Sequence, residues 1–207
     1  MNFKLFLLSI WVPQYFLKKE LNFLAEATLN QLDNLLKIHS PNKYQELPKL
    51  ILPLKGNLED IRSKMAQEHN MRVKALSDIL GPEETVKIVR PLMFKTGYCI
   101  GLDIKTRLGL KNNLNDLIKA AKLLYQVLGI EFEFHEGKSC QPYHLKRCLI
   151  IKHCSLAQHY LPLTCQVLSG TDEGVINGLN SQVKMVFKDK ITEGAPSCIA
   201  AIEMKNS

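Results

Sequence analysis

At 207 residues, 46% hydrophobic and 23% charged, the chain has the composition of one folded core, which excludes wholesale disorder and a multi-spanning membrane protein. A formal charge of +7 raises nucleic acid as a partner, yet lysines and arginines are spread along the whole length among acids, and no basic run carries stacking aromatics. Clusters such as Lys184, Lys188 and Lys190 read as solvated faces, nucleic acid is not expected, and anionic small molecules stay open as ligands.

In chain order, Lys4 precedes an apolar run from Leu5 to Val12, with no small-residue cleavage site behind it and the basic pair Lys18 and Lys19 following. The run is far shorter than the roughly 20 residues that span a bilayer. We expect an apolar helix start that docks on the body of the protein or on a partner, with shallow membrane contact as the alternative. Leu21, Leu24, Ala25, Leu29, Leu32 and Leu36 continue a helical stripe until His39, Ser40, Pro41 and Asn42 break it. After a loop with Pro48 and Pro53, Asn57 can cap a helix from Leu58 to Leu80 that stops at Gly81. Pro82, Glu83 and Glu84 open a third helix that closes near Gly109. Its Gly97 and Gly101 share one face and permit a tight helix crossing. Asn113 can cap a fourth helix, Leu114 to Leu128, ended by Gly129.

The period then changes. Ile130, Phe132 and Phe134 alternate with Glu131, Glu133 and His135, the two-residue repeat of a half-buried strand. A polar turn through Gly137, Lys138 and Ser139 leads to a second strand over His144 to Lys152. A helix follows from Pro162 to Leu179, then alternation at Val183, Met185 and Phe187 and again at Cys198, Ala200 and Ile202. Helices followed by strand, strand, helix, strand, strand predict an α+β fold, N-terminal helices packed on an antiparallel meander with one inserted helix, and not a parallel βαβ sheet.

Between His135 and Cys198 stand five of the 6 cysteines and four of the 6 histidines. Thiolate and imidazole suit zinc, copper and iron–sulfur clusters, but no C-x-x-C pair is present, so the fold would have to gather the ligands. With a conventional core and no convincing export signal, reduced thiols and a cytoplasmic location are expected. Cys99 on its helix and Cys148 within an apolar strand read as core residues, and Cys140 as part of a hairpin turn. Cys154, Cys165 and Cys198 stand beside polar or turn residues at element boundaries and are the better candidates. Cys165 precedes Gly170, Asp172, Glu173 and Gly174, so a thiol and two carboxylates share one helix. The acids can orient a histidine or activate water, and His159 is placed to act as base for a Cys165 nucleophile. The plain alternative is a helix with solvated acids whose glycines pack on the sheet.

The stretch HCSLAQHYLPLTCQVLSGTDEGVINGLN, followed by VKMVFKDKITEGAPSCIAAIEM, resembles the carboxy-terminal signature of the 4-vinyl-reductase-like domains and of the related L-2-amino-thiazoline-4-carboxylic acid hydrolase-like family. Cys154 leads the segment, Cys165 precedes its helix, Asp172 matches the acidic position, and Cys198 ends the turn at Gly194. Upstream, the run LIKAAKLLYQVLGIEFEF and the order of elements agree. The resemblance implies a pocket between a helical layer and an antiparallel sheet. The first family implies small, often hydrophobic ligands with cysteines as metal ligands; the second implies opening of a thiazoline ring.

The leading expectation is therefore an N-terminal helical extension over residues 1–55 and a small-molecule-binding α+β domain over 56–207. The domain would carry a zinc-type site at Cys154, Cys165 and Cys198, with His159 as a fourth ligand. The alternative is a hydrolase of a small C–N or thiazoline-type ring, with Cys165, Asp172 and His159 catalytic and Glu193 orienting substrate. A third reading is a non-catalytic interaction protein whose thiols are core and which has no pocket. The expected partner is a small molecule, and a homodimer is admissible.

Overall fold

The computed structural model describes residues 12–137, 140 and 143–205. The fold is α+β, with helices dominating the first half and a four-stranded antiparallel sheet in the second. Helix α1 spans Gln14–His39, the short α2 Pro41–Glu46, α3 Leu58–Leu80, α4 Pro82–Leu108 and α5 Leu114–Leu128. Strands β1 (Ile130–Glu136) and β2 (Arg147–Cys154) precede α6 (Pro162–Leu179), and β3 (Val183–Asp189) and β4 (Cys198–Met204) close the chain.

Local signals set the helix ends. The Asn57 side chain accepts from the Asp60 amide, and the Asp60 carboxylate accepts from the Asn57 amide, each at 2.9 Å, a reciprocal box that satisfies two otherwise orphaned donors. Asn113 caps α5 by accepting from the Asp116 amide at 2.8 Å, and Gly129 ends it in the left-handed conformation at φ 69°. Arg62 of α3 then donates to the carbonyl oxygens of Val127 and Gln126, both at 2.9 Å, supplying partners to the last turn of α5. The second strand starts later than its hydrophobicity suggests. His144 sits at φ 50°, so the turn continues past it and pairing begins at Arg147.

Helices α4 and α6 lie backbone to backbone. A Cβ on Gly97 would stand 2.0 Å from the Thr171 carbonyl oxygen, and one on Gly174 2.0 Å from that of Phe94. Gly101 and Gly178 repeat this one turn on, where their α-carbons close on each other. The tight crossing expected from Gly97 and Gly101 is thus present, and α6 supplies its matching glycines.

The sheet order is β1-β2-β4-β3, and this corrects the simple meander. Helix α6 carries the chain across the sheet to its far edge, and β3 returns through a hairpin so that β4 fills the gap beside β2. Alternation decides which face is covered. Leu149 of β2, Val183 and Met185 of β3, and Ala200 and Ile202 of β4 join one core with Leu21 and Leu29 of α1, Ile61 and Met65 of α3, and Ala120 of α5. Helix α1 is therefore part of the same core as the sheet. On the other face, Cys140, Cys148 and Ile199 form a small cluster.

Two expectations about thiols are corrected. Cys140 and Cys148 are joined by a disulfide, because the β1–β2 connection brings Cys140 back against the strand that carries Cys148. Cys99 is exposed, on the side of α4 away from the core. Among the described residues no helix is long and apolar enough to cross a membrane. The apolar run that begins at Leu5 lies outside the described residues except for Val12, as do Lys138 and Ser139 of the β1–β2 turn.

Candidate functional site

Where α1, α3, α5 and α6 meet the sheet, their side chains leave a cavity of about 100 Å³, within about 970 Å³ of atom-free space that includes its open mouth. Nearly all of the surface it presents is apolar, with Leu24, Met65, Leu124, Ile151 and Val175 among the walls. An engineered cavity of about 150 Å³ with similar lining admits benzene, so this space suits a small apolar body.

One wall carries a closed chain of hydrogen bonds. Thr28 of α1 gives its hydroxyl proton to the Leu24 carbonyl at 2.8 Å, so toward His69 it can only accept. His69 of α3 accordingly donates from Nε2 to Thr28 at 2.8 Å and accepts at Nδ1 from the Tyr160 hydroxyl at 2.9 Å. Burial, with the Arg72 guanidinium nearby, pushes His69 down to about 3 from its ordinary 6.5, so the ring is neutral and fits this single tautomer. The chain ties α1, α3 and the segment entering α6 together, and leaves none of these groups unpaired.

The α6 wall differs. Glu173 is committed, with Oε1 2.7 Å from Arg90 and accepting from the Phe187 amide at 3.3 Å. Its neighbour Asp172 faces the cavity and, among the described residues, has no hydrogen bond or ion pair. Burial first, and the Glu173 charge second, push Asp172 up to about 7 from 3.8, against the opposing pull of Arg90. Tyr125, also in the wall, is 3% exposed and stacks edge-on against Phe132 with centroids 5.2 Å apart. Its hydroxyl and that of Thr171 are buried without partners among the described residues. Lys190 reaches the cavity but pairs with Glu193 at 2.9 Å.

Of the residues singled out from the sequence, Cys154, Cys165, Asp172 and Cys198 all line this cavity. His159 does not; its Nε2 lies outside, 3.6 Å from Glu59. Burial raises all three thiols, Cys154 to about 12 and Cys165 to about 11, and Cys198 also accepts from the Ile191 amide at 3.3 Å. They are neutral thiols and poor nucleophiles in this setting. Zinc needs three or four donors at about 2.0–2.3 Å from one point. Among the described residues no group of three or more His, Cys, Asp or Glu side chains is so arranged.

Thr28, His69, Tyr125, Tyr160 and Lys190 were not legible as site residues. The usable signal was polarity on an apolar stripe: Thr28 among Leu21, Leu24, Ala25 and Leu29, and His69 among Ile61, Met65, Val73 and Leu76. A buried polar side chain is the informative exception in a core.

A helical layer over an antiparallel sheet with a cavity between them defines the structural class. No protein-family model and no curated protein matches the chain. Among solved structures, the fold is similar to that of a trafficking protein particle complex subunit 3 from Naegleria fowleri, determined covalently bound to palmitic acid. The likeness covers 70% of this chain and 95% of that one, with a TM-score of 0.50 and 13% identity, and what it shows is a shared fold.

Proposed function

We propose that the protein is a small-molecule-binding domain that holds a predominantly apolar ligand between its helices and its sheet. The observation that carries this reading is the cavity itself, apolar over nearly all its surface and walled by α1, α3, α5, α6 and the sheet together. The palmitic acid in the structurally similar subunit supports an apolar occupant, as does the resemblance of residues 153–204 to the 4-vinyl-reductase-like domains. Because burial keeps the cavity thiols protonated, we take the ligand to be held without a covalent bond. The thiazoline-hydrolase alternative keeps Cys165 and Asp172 in one cavity but loses His159 as their base.

Titration calorimetry with octanol, an uncharged probe with an eight-carbon apolar body, tests the reading. Saturable binding is expected, and Ala157→Trp, which fills the cavity from a wall position, is expected to weaken it at least tenfold while circular dichroism stays native. Absence of saturable octanol binding, or full binding in the folded Ala157→Trp variant, would overturn the proposal.

A further inference from the structure

We infer that the cavity selects apolar ligands bearing a hydrogen-bond-donating amine and disfavours the corresponding carboxylates. This rests on the small-molecule reading above and names the head group that reading leaves open.

Most polar groups in the cavity walls are, among the described residues, already paired. Thr28, His69 and Tyr160 satisfy one another and the Leu24 carbonyl. Arg90 is shared between Glu173 and the Ser169 hydroxyl, and Lys190 belongs to Glu193. Among the described residues, the cations at the cavity, Arg90 and Lys190, are therefore already committed. What is left over is one acidic group, Asp172, and two buried hydroxyls, Tyr125 and Thr171, without partners among the described residues. A buried polar group without a partner is costly, and ligands that complete such a set are favoured over isosteres that do not.

The leftover set is specific in sign. A carboxylate ligand would bring a second negative charge against Asp172 and Glu173 in a space with few polar dipoles, and among the described residues no uncommitted cation lines the cavity to balance it. An ammonium would instead donate to the Asp172 carboxylate as a charge-assisted pair, with the two hydroxyls able to accept its remaining protons. The Cys154, Cys165 and Cys198 thiols also line the cavity and, as weak donors and weak acceptors, serve either head group about equally.

Octylamine and octanoate, compared with octanol by calorimetry at pH 7.5, test this at constant apolar body. Octylamine is expected to bind at least tenfold more tightly than octanoate, and Asp172→Asn to shrink that ratio to threefold or less. Octanoate binding as tightly as octylamine, or a ratio unmoved in Asp172→Asn, would overturn the head-group inference while octanol binding left the small-molecule reading standing. Should octanol, octylamine and octanoate all fail to bind, both fall together. The ratio in the parent protein decides the question even if the variant is unstable.

Discussion

Asp172 and His69 sit in the same cavity wall system and pull stability in opposite directions with pH. The unfolded chain protonates His69 below its ordinary 6.5 while the folded chain refuses the proton down to about 3, so this residue makes stability fall as pH drops through that window. For Asp172 the folded chain keeps a proton up to about 7 that the unfolded chain releases from 3.8, so its contribution is lost as pH rises through that range. At about 1.4 kcal/mol per pKa unit the two slopes are of similar size and offset each other over much of the acidic range. Asp172→Asn removes one of them. Relative to the parent, the variant is expected to gain about 1–3 kcal/mol at pH 8 and to show stability climbing more steeply from pH 4 to 6.5 in urea titrations. Equal stability at pH 8 would contradict a half-buried carboxyl without a partner. Thiol reactivity gives a second check: exposed Cys99 should alkylate with iodoacetamide well before Cys154, Cys165 or Cys198. At this scale the sequence was informative where chemistry clusters locally, as at Cys154, Cys165 and Asp172. It marked Thr28 and His69 only as polar residues on apolar stripes and could not pair them, because their meeting depends on how α1 packs on α3. Nearness in the chain also misled at His159, whose position in the turn before α6 directs its ring to Glu59.

Element boundaries were the most legible feature, because they are written in short-range chemistry. Asn57, Gly81, Pro82, Asn113 and Gly129 each act within one helical turn, and the helices begin and end where those residues place them. Asn57→Ala should accordingly cost only about 1 kcal/mol, the worth of one cap. The α4–α6 crossing is a different case, since Gly97 and Gly174 meet partner carbonyl oxygens where a Cβ would stand only 2.0 Å away. Backbone cannot yield as a side-chain tip can, so Gly174→Ala is expected to destabilise by about 3 kcal/mol or more, beyond the usual range for an added methyl. Thermal melts of the two variants side by side would check the contrast, and a Gly174→Ala loss no larger than that of Asn57→Ala would contradict the close approach. Strand order, by comparison, was not legible. Alternation at Val183 and at Cys198 assigns each strand a buried face, but both β3 and β4 present such a face, and nothing local says which lies beside β2.

At the scale of the whole molecule, the question is whether residues 56–207 form a unit to which 1–55 is added. Helix α1 places Leu21, Leu29, Leu32 and Leu36 fully out of solvent, divided between the two main clusters of the core. It also contributes Leu24 and Thr28 to the cavity wall. The strongest electrostatic tie has the same direction: Arg72 of α3, 1% exposed, is held by Asp33 of α1 at 2.6 Å and by a short contact with Glu68. Removing one partner from such a buried group costs about 3–5 kcal/mol, because the remaining charge is left without compensation. A chain of 56–207 alone would lose Asp33, the Thr28 acceptor of His69 and four fully buried leucines together, each leucine worth about 2 kcal/mol or more in burial. These losses are of the same size as the roughly 5–15 kcal/mol by which a domain is stable. The truncated chain is expected to show no cooperative thermal transition and no octanol binding, and adding a synthetic peptide of residues 12–40 in trans should restore both in part. A cooperative melt of 56–207 by itself would mean that α1 is dispensable to the core and that the cavity can close without it.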